Sequence, residues 1–278
     1  MPEITAAQVK ELREATNVSM MECKRALVEA EGDMAAATRM LRERGMAVAA
    51  KKSSRTANQG LIASAAADNG RTLSLVEVNC ETDFVARNAD FIAFVDAMAR
   101  KACETDDALA DSMKDELVAK VAEIGENLVL RRNTRYVLEA TGAIEAYIHL
   151  NSKIGVLVEV GCEKPDTVAA TEFQELLKDL VLHIAACAPQ HLRPEDVPED
   201  VVRAERDIYA KQVEDKPPQV VEKIVDGKMR KYYGEICLLN QPFVKEPKQS
   251  VTQLLDAVGK TTGDKLTLRR FTRYQVGL

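Results

Sequence analysis

The sequence predicts an α+β protein with three parts: an amino-terminal three-helix bundle, a duplicated core of antiparallel sheets with helices, and an inserted antiparallel helical hairpin. Two observations predict this. Short helical periodicities precede a polar segment, and two sets of strings recur along the chain at fixed offsets. The 278 residues are enough for about two domains with a buried core.

The predicted bundle occupies residues 1–45. Ser19 can cap its second helix and Asp33 its third, which we expect to end at Gly45. Three short helices in this length resemble small ubiquitin-associated-type bundles, which usually bind other proteins. Residues 46–59 change character, and the run 51–59 is polar, basic and without periodicity, so we expect a linker here. A short nucleic-acid-binding patch is the alternative.

The core contains an internal duplication. Residues 60–81 and 142–163 share nine identities in 22 positions, at an offset of 82. Residues 125–136 and 263–274 share eight identities in 12 positions, at an offset of 138. The two offsets differ by 56 residues, so the simplest account is one subdomain used twice, with an insertion in the second copy.

Each copy predicts a three-stranded antiparallel sheet with helices on one face. The turn Asp68-Asn69-Gly70 is a strong hairpin signal between the first two strands. In copy one we expect strands at 60–67, 72–80 and 127–138, and helices at 88–103 and 113–123. In copy two we expect strands at 142–149, 153–162 and 265–276, and helices at 171–187 and 250–258.

The insertion predicts two amphipathic helices, at 199–214 and 219–233, on either side of Lys216-Pro217-Pro218. Such a hairpin is too narrow for its own core, so it should project and offer an apolar seam to a partner. A solvated arm with no partner is the alternative. The predicted boundaries are therefore copy one at 60–140, copy two at 141–188 and 234–278, and the hairpin at 189–233.

Composition excludes several classes of function. The net charge of −6 disfavours nucleic-acid and anionic-membrane partners, because both require a positive surface. Aromatic residues make up 4% and Trp is absent, which disfavours a base-stacking platform. No apolar stretch approaches the roughly 20 residues of a membrane span, and the start lacks the order of a signal peptide. We therefore expect a cytoplasmic protein.

No catalytic, metal or cofactor motif is evident. The six cysteines form no CxxC pair, so we expect buried, reduced thiols. The three histidines are scattered, and His183 lies on an apolar helix face as a core residue would. Gly259-Lys260-Thr261 resembles the end of a P-loop, but Leu254 occupies the leading glycine position. The sequence therefore predicts a protein that is not an enzyme and has no cofactor or metal site.

The two copies diverge directly after their common Cys-Glu. Phe84 in copy one stands where copy two has Asp166. A position that accepts Asp in a duplicate is expected to be exposed, which would make Phe84 an interface anchor on a strand-to-helix loop. The alternative is that Phe84 packs under its own sheet while Thr82 and Asp83 cap the next helix.

Three strings in this sequence resemble the bacterial elongation factor Ts family, in the same order from about residue 3 to residue 276. They are Leu12–Leu27 (LREATNVSMMECKRAL), Glu77–Arg87 (EVNCETDFVAR), and Gln241–Val244 with Glu246-Pro247. The resemblance implies a guanine-nucleotide exchange factor for the GTPase elongation factor Tu. In some relatives the hairpin mediates self-association, so a homodimer through the hairpin stays open here.

The resemblance also implies the site residues. The loop Thr82, Asp83, Phe84 and Val85 is the part linked to displacement of Mg²⁺ from the GTPase, with Phe84 wedged between partner side chains and Asp83 in the same region. Further partner contacts carry over to Lys24, Ile124, Gly125, His149 and Val244.

The competing hypothesis is a non-enzymatic scaffold or RNA-associated factor. Its best support is the pair of basic strings at 131–135 and 269–273. Because these strings recur in both copies with strand alternation, we interpret them as solvated sheet edges.

Overall fold

A computed structural model describes residues 4–16, 18–105 and 109–278. Residues 1–3 and 17 of the predicted bundle lie outside the described residues. The described helices are α1 Ala6–Thr16, α2 Met20–Glu29, α3 Met34–Lys52, α4 Asp83–Ala86, α5 Ala89–Glu104, α6 Leu109–Ser112, α7 Lys114–Ile124, α8 Thr171–Cys187, α9 Glu199–Lys211, α10 Pro218–Ile236 and α11 Val251–Thr262. The strands are β1 Gln59–Ala67, β2 Thr72–Cys80, β3 Val129–Val137, β4 Gly142–His149, β5 Ile154–Gly161, β6 Pro242–Phe243, β7 Glu246–Ser250 and β8 Thr267–Gln275. The α+β class is confirmed.

Helices α1 to α3 form the amino-terminal bundle around a small apolar core. Leu12, Cys23 and Leu27 are fully buried in it. Asp33 caps α3 as predicted, because its Oδ1 accepts hydrogen bonds from Ala35 N and Ala36 N at 2.8 and 3.0 Å.

The predicted end of α3 at Gly45 is wrong, because the helix continues to Lys52. A Cβ on Gly45 would lie 3.5 Å from Cβ of Ala122 in α7, so this glycine allows two helices to pack closely instead of ending one. The predicted linker 46–59 is accordingly too long. Residues 46–52 are helical, and residues 53–58 connect α3 to β1.

The duplicated core consists of two sheets with the same antiparallel connectivity, in the orders β1-β2-β3 and β4-β5-β8. Helix α5 covers the outer face of the first sheet, and α8 covers that of the second. The inner faces pack against each other through a third cluster that includes Ile62, Leu75, Ile144 and Leu157. The core is therefore layered as helices, sheet, sheet and helices.

The contacts between the two sheets are nearly symmetric, and the offset of 138 relates them. Tyr136 OH and Thr272 Oγ1 are 2.8 Å apart, and the equivalent hydroxyls of Tyr274 and Thr134 also hydrogen-bond. Burial raises the pKa of Tyr136 to about 12, so its hydroxyl stays protonated. The two copies thus face each other with matching surfaces, as in a two-fold interface.

The arginine-rich strings lie on the edge strands β3 and β8, as interpreted, but two of their arginines, Arg132 and Arg270, also make contacts that the sequence did not predict. Arg132 Nε donates to Glu77 Oε2 at 2.7 Å, and Arg270 Nε donates to Glu159 Oε2 at 2.6 Å. Each guanidinium also lies over a tyrosine ring of the other sheet, 4.3 and 4.1 Å from the centroid. The buried glutamates require counter-charges, so these arginines join the sheets.

The insertion forms the expected helical hairpin, with α9 and α10 antiparallel and linked by an Arg206–Asp226 ion pair of 2.9 Å. Helix α10 runs past its predicted end to Ile236, which is buried against Val197 and Cys237. The short β6–β7 pair after it is absent from the sequence prediction. None of the helices in the described ranges combines the length and apolar character that crossing a membrane requires.

The cysteines are unpaired thiols, and each is buried or half-buried, as predicted. The segment Gly259-Lys260-Thr261 lies inside α11, so it has helical backbone instead of a phosphate-binding loop.

Candidate functional site

The segment that follows β2 forms a single helical turn, α4, and presents an aromatic side chain to solvent. Phe84 is 82% exposed, which confirms the exposure predicted from its counterpart Asp166. Thr82 caps the turn, since its Oγ1 accepts a hydrogen bond from Val85 N at 3.3 Å. Asn88, instead of Thr82, caps the next helix α5. Capping by Thr82 and exposure of Phe84 therefore occur together.

Carboxylates hold the start of this turn. The carboxylate of Glu126 accepts hydrogen bonds from Glu81 N and Thr82 N, both at 3.0 Å, and from Thr82 Oγ1 at 2.7 Å. In return, Glu81 Oε1 accepts a bond from Asn127 N at 2.7 Å. This hydrogen bond and the nearby charge of Arg55 lower the pKa of Glu81. Glu126 is a residue of the site that was not predicted from the sequence.

The buried thiol of Cys80 contributes one further contact to the turn. Cys80 Sγ donates to Thr82 O at 3.1 Å. Burial raises the pKa of this thiol to about 12, so it stays protonated and acts as a donor instead of a nucleophile.

An open groove of about 940 Å³ lies beside Phe84 and joins the two copies. Phe84 and Arg87 line one side, and Leu150 and Lys153 line the other. Leu150 is 60% exposed and has a positive φ of 50°, in the turn between β4 and β5. Lys153 Nζ donates to Gly60 O at 2.8 Å, which ties this turn to copy one. The groove thus places two exposed apolar side chains from different copies along one surface.

Other site residues inferred from the resemblance lie near this groove. Ile124 and Gly125 end α7 directly before Glu126, and Gly125 has a positive φ of 82°. His149 ends β4 next to Leu150, and its Nδ1 lies 2.7 Å from Tyr147 OH.

Two of the inferred residues are exposed elsewhere on the surface. Lys24 lies on α2 and Val244 follows β6, and neither is among the described residues that line the groove.

Copy two repeats the carboxylate contacts without the aromatic residue. Asp264 accepts hydrogen bonds from Glu163 N, Lys164 N and Thr167 Oγ1 at 3.1, 2.9 and 2.6 Å. These bonds, first that of Thr167, lower the pKa of Asp264 to about 2. The segment they hold is a 3-10 turn, Pro165–Ala169, that carries Asp166.

Comparison with known proteins assigns the chain to a family. The family model described as elongation factor TS matches residues 81–278. Similar proteins include the elongation factors Ts of Trichlorobacter lovleyi (41% identity, 99% of this chain and 93% of the relative), Symbiobacterium thermophilum (42%, 100% and 93%) and Desulfovibrio desulfuricans (40%, 99% and 99%). The chain belongs to the elongation factor Ts family. It is therefore a translation elongation factor, and the resemblance on which the site inference depends is confirmed.

One signal in the sequence of this chain could have revealed the Glu126 contact. The recurring strings at 125–136 and 263–274 both begin with glycine and an acidic residue, Glu126 or Asp264. A carboxylate that two copies retain after a helix-ending glycine is a candidate acceptor for nearby backbone N–H groups.

His183 is the buried core histidine that the sequence predicts, and it supports the segment that carries Val244. Its Nδ1 accepts from Val244 N at 3.2 Å, so Nε2 carries the proton and donates to Gln241 Oε1 at 2.9 Å. Burial lowers the pKa of His183. A proton on Nδ1 would remove the acceptor for Val244 N.

We expect this histidine to make the stability of the elongation factor Ts chain depend on pH. Because the pKa of His183 is lower in the folded state, the unfolded state binds the proton more tightly, and stability falls as the pH drops below about 6.5. Urea unfolding midpoints at about pH 7.5 and about pH 5.5 measure the loss. His183→Gln should reduce this pH dependence, whereas His149→Gln, at an exposed histidine, should retain it. An unchanged pH dependence in His183→Gln would contradict the prediction.

Proposed function

We propose that this chain is a guanine-nucleotide exchange factor for elongation factor Tu. In this proposal, the α4 turn enters the GTPase and disturbs its Mg²⁺ site, and GDP release accelerates. The observation that carries the proposal is the exposed Phe84 ring on a turn that Glu126 and Thr82 hold in place. Membership in the elongation factor Ts family supports the choice of partner.

The side chains of the α4 turn are suited to insertion between side chains of the GTPase. A phenylalanine ring brings a large apolar area with two rotatable bonds, so its insertion loses little side-chain entropy. Asp83 adds a carboxylate next to the ring. Its Oδ2 forms a solvent-exposed ion pair with Arg87 at 3.0 Å, one turn along the chain. The partner's Mg²⁺ bridges phosphate and protein ligands, and a small displacement of those ligands weakens nucleotide binding.

No covalent step is needed. If the chain binds the nucleotide-free GTPase most tightly, it lowers nucleotide affinity, and nucleotide lowers the affinity of the chain by the same factor. Exchange then follows from the binding of the next nucleotide, which releases the factor. We propose this cycle for a chain that acts as a binding partner and not as an enzyme.

We also propose how the parts of the chain share the interface. The copy-one turn with Thr82 to Val85 provides the wedge, and Ile124, Gly125 and His149 add contacts around the groove. Lys24 in the 1–45 bundle and Val244 add contacts farther away. Self-association through the 189–233 hairpin stays a prediction, and the exposed side chains that it would cover are Val201, Ile208 and Val220.

The competing RNA-associated function loses much of its support. Arg132 and Arg270 are engaged with buried glutamates and with tyrosine rings, so these two arginines are not free to bind phosphate.

The test is release of a fluorescent GDP analogue from preloaded elongation factor Tu, timed after mixing with increasing concentrations of the chain. We expect release to accelerate with concentration to a plateau. We also expect the stimulation ratio to be smaller after Mg²⁺ is removed with EDTA, because spontaneous release then already lacks the metal. No acceleration would overturn the exchange function. An equal ratio with and without Mg²⁺ would overturn the Mg²⁺ mechanism.

A further inference from the structure

We infer that Glu126 is a positioning residue for exchange, which fixes the direction in which the α4 turn presents Phe84. This inference rests on the proposed function and adds a residue that does not itself face the groove. Within the part of the chain that the structure describes, its carboxylate accepts hydrogen bonds from both the backbone N–H and the side-chain hydroxyl of Thr82. The effect on Phe84 is therefore transmitted through Thr82.

The contacts form a continuous series from Glu126 to the backbone of the turn. Glu126 Oε1 accepts the hydroxyl proton of Thr82 at 2.7 Å, which leaves a lone pair on Thr82 Oγ1 for Val85 N at 3.3 Å. Glu126 Oε2 accepts the N–H groups of Glu81 and Thr82. Bonds to a carboxylate are shorter and stronger than neutral ones, so this acceptor orders the first residues of the turn.

Glu126 is itself held firmly. It follows Gly125, whose positive φ ends α7, and Lys52 Nζ donates to Gly125 O. The next residue, Asn127, donates its backbone N–H to Glu81 Oε1 and its side-chain amide to Arg55 O, both at 2.7 Å. The residues on either side of the acceptor are thus anchored to α3, to the 53–58 connection and to Glu81, the residue that follows β2.

Val85 and Ala86 pack one side of the turn against the core beside β1 and β2, and the hydrogen bonds of Glu126 fix the start of the turn, which this packing does not reach. Helix α4 has four residues, far below the length at which a helix is stable alone. The Phe84 ring is exposed, so core packing does not fix its direction. A loosened turn would have to be ordered again on binding, and that ordering would reduce the free energy available to displace the nucleotide.

The duplicate supplies a matched control. Asp264 makes the two equivalent backbone contacts in copy two and takes its hydroxyl contact from Thr167, three residues farther along than the counterpart of Thr82. The segment that it holds presents Asp166 instead of an aromatic ring. Asp264→Ala should therefore remove a similar set of hydrogen bonds without affecting the wedge. Comparison of the two alanine variants separates a general loss of stability from a specific loss of positioning.

The experiment measures fluorescent GDP release from elongation factor Tu with wild type, Glu126→Ala, Glu126→Gln and Asp264→Ala over a range of concentrations. We expect Glu126→Ala to lower the plateau rate by about tenfold, the size of effect that loss of strong positioning hydrogen bonds produces. Glu126→Gln should recover most of the rate, because the amide oxygen accepts the two backbone N–H groups and the amide nitrogen donates to Thr82 Oγ1. Asp264→Ala should retain the wild-type plateau.

Amide hydrogen exchange measures how well the α4 turn is ordered in the absence of the GTPase. Glu126→Ala should speed exchange at the amides of Thr82 and Val85, and Asp264→Ala should not. A wild-type plateau rate in Glu126→Ala, or an equal loss in Asp264→Ala, would overturn the positioning role. Unchanged amide exchange in Glu126→Ala would also overturn it. A wild-type chain that does not accelerate release would instead refute the proposed function, and the amide exchange result would still decide whether Glu126 orders the turn.

Discussion

Phe84→Ala should slow the release of GDP from elongation factor Tu at least several-fold, measured at saturating concentrations of the chain, if the proposed function holds. A fully buried phenylalanine side chain contributes about 1.5–3 kcal/mol, and each 1.4 kcal/mol is about tenfold in an equilibrium constant. Part of this energy is available only when the ring enters the partner. Its removal should therefore lower the plateau rate and not merely raise the concentration needed to reach it.

The fold should survive this substitution, because Phe84 is 82% exposed and Thr82 still caps the turn. The circular dichroism spectrum and the unfolding midpoint should match those of the wild type. Asp166→Ala is the matched control, since it truncates the equivalent position of copy two, and it should leave release unchanged. Equal GDP release rates for Phe84→Ala and wild type would refute the proposed insertion of Phe84 into the GTPase.

Phe91→Ala and Phe173→Ala should each destabilise the protein by about 3–5 kcal/mol, the usual range for truncating a buried phenylalanine. The two residues occupy equivalent positions at the offset of 82, and both are fully buried. Phe91 lies in the cluster between α5 and the first sheet, and Phe173 lies in the cluster between α8 and the second. Each substitution leaves a cavity that the surrounding strands can fill only in part.

Urea unfolding with a fixed m-value measures both losses, and Phe84→Ala is an internal control at an exposed phenylalanine. We expect Phe91→Ala and Phe173→Ala to lower the free energy of unfolding by similar amounts, because each phenylalanine packs its helix against a sheet of the same connectivity. A loss below about 1 kcal/mol in either variant would contradict the packing described here.

Sequence patterns predicted the elements well where local periodicity specifies them. Helix α8 begins and ends at the predicted residues 171 and 187, and β4 spans the predicted 142–149. Predictions failed where a contact distant in sequence decides the outcome. Helix α3 passes Gly45 because α7 packs against it, and the β6–β7 pair is too short to produce a recognisable pattern.

The site residues also divide into those that the sequence indicated and those that only a contact distant in sequence revealed. Comparison of the two copies indicated an exposed Phe84, because copy two has Asp166 at this position, but it left packing under its own sheet as the alternative. The structure decides for exposure. Family membership follows from the order of the residues alone.

The sequence by itself was enough to predict the repeat and the order of the elements, and it indicated the exposed aromatic residue. Each of these depends on residues close together in the chain or on comparison of the chain with itself. The folded structure alone assigned partners to the charged residues. Glu126 contacts Thr82 across 44 positions, and Arg132 donates to Gln275 O across 143. A carboxylate or guanidinium has the same charge whichever partner it meets, so its position in the sequence does not specify its contact. Tertiary packing does, within copy one for Glu126 and between the two copies for Arg132.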